Sequence, residues 1–375
     1  MNMAQAFRGE DYAGVREEGK RRIEMARGFE EPDRVPIMMS VAGSFFAHLW
    51  GANIRDYYTD IDTCIDVQLE GIRWCFEELQ DDRTGYGLSL DLGPVGEALV
   101  FGMEIYYPDD TSPWGVRTMR TVEDIRRFEA PDVAKAPGVL WAFRRGEEFK
   151  ARVKERGMGI GAGFGLGIHP PLSCACALAE PAMIYELMYT APEVIHEFFE
   201  KLLRTFFLLA EFQDGYFGRR RTSCGLADDN SAFVSPVMYR EFVLPYNKRI
   251  YDRYGQEGRH LHFDGPGDHL FEIIANELRV TQHDIGGFSE VAAAKRAYRG
   301  KVFFGGGFNL KSLYGTFEQA QPAVDRVIEI GGPGGGFYFS VGGETYVGAN
   351  PETLKQVVAY VKKKGRYPIE GAREA

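Results

Sequence analysis

The chain of 375 residues contains no uninterrupted apolar run approaching the roughly 20 residues needed to cross a bilayer as a helix. Basic charge is in deficit, with 44 Lys and Arg against 54 Asp and Glu and a formal charge of −10. Phosphate backbones are bound by basic faces, so a nucleic-acid partner is excluded, as is a membrane span. Cysteine is scarce and odd in number, five in all, which points to free thiols in a reducing compartment rather than a disulfide framework. The opening up to Arg34 is polar and charged and lacks the apolar stretch of a secretory signal. A cytoplasmic protein is expected. No GxxxxGK[ST] phosphate loop occurs. Gly305-Gly306-Gly307 lacks the second spaced glycine pair, and Gly331–Gly336 precedes a strand-like run instead of following one. Neither is a dinucleotide fingerprint.

What is present is an ordinary globular composition, 45% hydrophobic and 26% charged, able to bury a substantial core. Strand-like and helix-like segments alternate. Eight strand candidates begin at Val35, Gly85, Gly159, Ser223, Arg259, Val280, Lys301 and Gly336. Helical patterns occupy about 13–27 and 60–79, begin again at Thr121, cover 180–214 with a break near Pro192, and then recur at 236–254, 269–278, 291–298, 317–330 and 351–364. Parallel strands with helical crossovers follow from that alternation, and eight such units favour a closed (β/α)8 TIM barrel over an open sheet. The expected organisation is one barrel domain over 1–375, with an N-terminal helical segment at about 1–34 and an insertion around 85–135.

The stretch that carries chemistry is Arg259-His260-Leu261-His262-Phe263-Asp264-Gly265. Alternation in a strand puts His260, His262 and Asp264 on one face and Leu261 and Phe263 on the other. Imidazole and carboxylate on one face suit a zinc-like ion, although a polar, solvent-facing strand edge would read the same way. Barrel enzymes build their sites at the C-terminal ends of the strands. Polar residues gather at those ends here: Asp228-Asp229, the histidine strand, His283-Asp284, Asn309 and Glu344. His169, beside two prolines, either lines the mouth or sits in a turn. Cys174 and Cys176 are read as buried free thiols, and His196 as structural within an apolar helix.

Several segments resemble the uroporphyrinogen decarboxylase superfamily, which includes corrinoid-dependent methyltransferases. They are Pro32-Asp33-Arg34-Val35-Pro36-Ile37, the Asp228-Asp229 turn, Ser235 through Phe242, Pro245-Tyr246, the histidine strand with its glycine, Gly336-Phe337 and Pro351-Glu352-Thr353-Leu354. The resemblance spans nearly the whole chain and implies a (β/α)8 barrel. Val35–Ser44 is free of the arginines that grip propionates in true decarboxylases, so porphyrinogen decarboxylation is not expected. The thiol-methylating branch carries His-x-Cys-Gly and a later cysteine. Here His262 stands at the first cysteine position and Gly342-Gly343-Glu344 lies near the second. What remains is similar to the branch that demethylates ethers or amines, or passes methyl groups between corrinoid and folate. Glu241, twenty-one positions before His262, matches the spacing of that branch's glutamate–histidine metal pair. Its further glutamate is replaced by Leu226, with Asp228 and Asp229 nearest.

The resemblance therefore implies a methyltransferase that moves a methyl group from a small O- or N-methylated substrate to a corrinoid (cobalamin) carried by a partner corrinoid protein. Zinc is expected on His260, His262 and Glu241, and acid–base roles on Asp229, His283 and Glu344. Met38, Phe45, Phe46, His169 and Asn309 are expected to contact substrate. The chain has no Asp-x-His-x-x-Gly lower-ligand motif, so the corrinoid would come from another protein. A homodimer is left open. The alternatives are a metal-free methylcobalamin:tetrahydrofolate methyltransferase, a decarboxylase-like enzyme, and a non-catalytic subunit that docks a corrinoid protein.

Overall fold

The computed structural model describes residues 12–83, 87–157 and 159–374. Five strands, Ser223–Ala227, Gly258–His262, Gln282–Ile285, Phe303–Gly306 and Phe337–Tyr338, lie side by side in chain order and pair in parallel. Each is followed by a helix that returns over the sheet. Register aligns Ala227 with His262 and His262 with Asp284. Leu261, Phe263, His283 and Ile285 are fully buried toward the helices. Their alternate neighbours His260, His262, Asp264 and Asp284 face the barrel axis, as a two-residue side-chain period requires.

The remaining strands are shorter. Leu88–Ser89 pairs in parallel with Ala162–Gly163. The strand start expected at Gly85 lies outside the described residues, and the run expected from Gly159 to Leu166 narrows to two residues. The 34–41 segment closes the circle. It bridges the last strand at Ile37–Phe339 and Val41–Thr345, while Asp82 N donates to Ile37 O at 2.8 Å on the other side. A buried ion pair reinforces this joint: Arg34 Nη1 and Nη2 hold Asp82 at 2.5 and 2.8 Å, and Asp82 also accepts from Ile37 N. The result is a (β/α)8 barrel.

Local chemistry sets several helix starts. Ser235 Oγ accepts from Met238 N ahead of Pro236 at the first helical position, and Asn350 caps the helix Pro351–Lys364 in the same way. Thr121 and Asp124 form a capping box, but that helix ends at Arg127. A separate 19-residue helix, Pro137–Glu155, follows and buries Val139, Ala142, Phe143, Gly146, Phe149 and Val153 at helical spacing. The long segment after Glu180 is two helices, Pro181–Thr190 and Pro192–Tyr216, divided by Ala191. Two further helices, Gly43–Leu49 and Pro171–Leu178, occupy stretches outside the helical patterns read from the sequence.

The helix Ala13–Arg27 plugs the lower end of the barrel. Ile23 and Ala26 pack against Phe303 and Tyr338, Gly336 N donates to Ala26 O at 2.9 Å, and the Arg27 guanidinium lies over the Phe303 ring at 5.4 Å. The interior therefore opens at the C-terminal ends of the strands. Among the described residues, no helix is long and apolar enough to cross a membrane.

Candidate active site at the barrel mouth

His262 is the centre of a carboxylate cage. Its Nδ1 lies 2.9 Å from Asp284 Oδ2 on the next strand, and its Nε2 lies 3.2 Å from Asp264 Oδ1 and 3.9 Å from Asp229 Oδ1. Burial opposes a charged ring, but Asp264 and Asp284 outweigh it and raise the imidazole to about 11. Asp229, His262 and Asp264 can each turn one ligand atom to a common point, all within 4.8 Å of one another. Asp229 is itself positioned from behind. Its neighbour Asp228 is fully buried and takes hydrogen bonds from Ser173 Oγ, Ser231 Oγ and Asn247 Nδ2 at 2.6–2.7 Å, while Asp229 Oδ1 accepts from Asp264 N at 2.7 Å.

The other expected site residues separate into those that reach this mouth and those that do not. Glu344 follows Gly342-Gly343, and a β-carbon on Gly343 would stand 2.7 Å from Asp264 Oδ1. The loop thus lies directly on the cage. His169 also faces it, with Nδ1 2.9 Å from Glu97 Oε1. Burial pulls this imidazole down, yet Glu97 and the charges of Asp229 and Asp228 carry it up to about 8. Phe46 lines an adjoining cleft, whereas Phe45 is buried behind it against Trp74.

His260 faces the axis one step lower on the strand. Its Nε2 would stand 3.2 Å from a β-carbon on Gly258, so the ring folds back toward the strand's start, away from His262. Glu241 is exposed on a helix and contributes no ligand atom to the group. His283 points the opposite way from Asp284. It is buried against Phe263 and Phe271, bonded to the Tyr298 hydroxyl at 2.6 Å and lowered by burial to about 3. Met38 packs on the plug helix below, and Asn309 ties Gly287 O to the loop at Lys311. Cys174 and Cys176 are buried thiols raised by burial.

Asp91 reaches this mouth without a signal in the sequence. It follows the short second strand and accepts hydrogen bonds from Tyr57 Oη at 2.8 Å and Gly93 N at 2.9 Å. With Glu344, Tyr58 and Tyr346 it lines a cleft of about 630 Å³ beside the cage. The Gly-Pro turn after it, Gly93-Pro94, marks the end of a strand, but that region carries no apolar run long enough to flag one.

A model of the family described as uroporphyrinogen decarboxylase (URO-D) matches residues 18–364. The chain belongs to the uroporphyrinogen decarboxylase family. Its curated relatives in the family are distant. The uroporphyrinogen decarboxylase of Thioalkalivibrio sulfidiphilus is 28% identical over 193 residues, covering 50% of this chain and 53% of that protein. Those of Xanthomonas oryzae pv. oryzae and Shewanella halifaxensis are 26% and 25% identical, over 70% and 85% of this chain and 75% and 90% of theirs. The chain thus spans about half the length of the Thioalkalivibrio protein. A solved methyltransferase from Methanosarcina mazei shares the fold, with a TM-score of 0.68 and 15% identity over 92% of this chain and 98% of that one.

Within this family fold, the donor set fits a divalent cation. Two carboxylates and one imidazole are ordinary zinc ligands. Asp264 Oδ1 is buried with no hydrogen bond of good geometry, and Asp284 stands behind His262 where an outer-shell carboxylate would orient the ring.

Proposed function

We propose that this member of the family is a methyltransferase that takes a methyl group from a small O- or N-methylated substrate and passes it to the corrinoid of a partner protein, with a zinc-like cation on Asp229, His262 and Asp264. The observation that carries this reading is the cage of His262 and carboxylates at the C-terminal mouth of the barrel, with a cleft of about 630 Å³ beside it that Glu344 lines. A cation held there would supply Lewis acidity to a poor leaving group, and the corrinoid would supply the nucleophile. The chain's own residues do the rest. Asp284 fixes the His262 ring, and the Ser173, Ser231 and Asn247 clamp on Asp228 fixes the turn that presents Asp229. His169, with Nδ1 on Glu97, keeps a proton at neutral pH and has Nε2 left to give one to a leaving oxygen.

A second reading has a specific support. The His262 imidazole, raised to about 11 by Asp264 and Asp284, carries a proton that offsets part of the carboxylate charge without a metal, which leaves Asp229 and Asp264 able to hydrogen-bond a pterin instead. One experiment separates the two. The purified protein is analysed for metal, and assayed with methoxylated aromatics and methylated amines against a cob(I)alamin acceptor, with and without zinc. Bound metal and metal-dependent methyl transfer are expected. Active, metal-free protein would move the assignment to folate chemistry, and no methyl transfer with any donor would reject both.

A further inference from the structure

The cleft beside the cage has an unusual lining. Its rings are Phe46, Tyr57, Tyr58 and Tyr346, and its charged groups are Asp91, Glu344 and Arg83. Arg83 is already committed, its Nε donating to the fully buried Asp81 carboxylate at 2.7 Å and its Nη2 lying 3.2 Å from Cys75 Sγ. That leaves two carboxylates. Among the described residues neither is paired with Lys or Arg. Asp91 is held by the Tyr57 hydroxyl and Gly93 N, and Glu344 stands in the open mouth bonded to Tyr346.

A ligand entering this cleft displaces water from both carboxylates. A neutral methyl ether would leave them desolvated without compensation, and a carboxylated one would be repelled. A cation restores the lost solvation with direct charge, and aromatic walls add their own attraction for an ammonium group. The protein crowded around the cleft pushes both carboxyls upward, the half-buried Asp91 and the solvent-open Glu344 alike, and Glu344 further through the charge of Asp91, which is the response of two acids sharing a concave wall without a cation.

We propose that this cleft binds a small methylated ammonium cation, with Asp91 and Glu344 supplying the charge and Tyr57, Tyr58 and Tyr346 the aromatic wall. The proposal rests on the methyl-transfer reading for its consequence, since it selects the N-methylated class as donor, but not for its test. The cation would lie alongside Asp264, because Gly343, next to Glu344 in the chain, packs on that carboxylate.

The test is calorimetric titration of the full chain with choline and with its neutral isostere 3,3-dimethylbutan-1-ol. Choline should bind at least about tenfold more tightly than the isostere. Glu344→Gln and Asp91→Asn should each weaken choline severalfold, leave the isostere unchanged, and retain the wild-type circular dichroism spectrum. Glu344 is exposed, so Glu344→Gln decides alone if Asp91→Asn fails to fold. No choline binding, equal binding of the two probes, or an unchanged choline affinity in Glu344→Gln would overturn the assignment. Choline binding without methyl transfer would keep the cleft and reject the transfer reading. Transfer from methyl ethers with no preference for cations would do the reverse.

Discussion

At the scale of the residue, three histidines on two adjacent strands have three different fates. His262 faces the axis among carboxylates, His260 faces it lower and turns back, and His283 faces the helix layer. If the cage holds metal, His262→Ala should strip it and abolish methyl transfer, while His260→Ala should keep both, as elemental analysis and the same assay will report. His283 makes a separate, fold-level prediction. Its folded value near 3 lies below the ordinary value of 6.5, so the unfolded chain binds the extra proton first. The stabilising difference is whole above pH 6.5 and is lost as pH falls toward 3, a range of about 5 kcal/mol. Thermal midpoints of His283→Gln should be lower than wild type at pH 8 and flatter across pH 6.5 to 4. A parallel pH slope in the two proteins would contradict the buried neutral ring.

At the scale of the element, the ladder of paired strands is interrupted, among the described residues, at the joint after the third strand. There the amide of Gln213, buried on the helix Pro192–Tyr216, substitutes for a neighbouring strand. It accepts from Leu166 N at 3.0 Å and donates to Leu166 O at 2.8 Å. Gln213→Leu would fill the space but orphan two buried backbone groups, at about 1–3 kcal/mol each. Denaturant titration should show a loss of roughly that size, and faster amide exchange confined to 162–168. An unchanged midpoint would mean that water replaces the amide. Thr121→Ala, by contrast, removes an exposed cap from a short helix and should cost only about 1 kcal/mol.

At the scale of the whole molecule, closure depends on the 34–41 segment and on the plug beneath it. Arg34 and Asp82 are both buried, and their pairing joins the first strand to the segment before the second. Arg34→Met would leave a buried carboxylate held by Ile37 N and by Arg22 Nη1, 3.1 Å away, and should destabilise the barrel by about 3 kcal/mol. The double variant Arg34→Met with Asp82→Leu should recover part of that loss, because removing both charges removes the unpaired one. Unfolding of the double variant at or below the midpoint of the single one would show that the ion pair itself closes the ring.

The sequence by itself determined the barrel and the face of the histidine strand. Strand–helix alternation, proline and serine at helix starts, and the two-residue period of 259–264 are local signals, carried by neighbours in the chain. The short second and third strands were poorly legible because two residues of pairing leave no periodicity. The helix Pro137–Glu155 went unread behind the irregular stretch before it, although its apolar spacing is regular. Tertiary structure alone decided which residues meet. Asp229 joins His262 through a register match between adjacent strands, and Asp91 joins Glu344 from opposite ends of the chain because the last strand closes on the first. Rotation about one side chain turned His260 away, and one step along a strand sent His283 outward and Asp284 inward. Contacts between distant segments and the choice of rotamer depend on packing around each residue, and no local pattern encodes that packing.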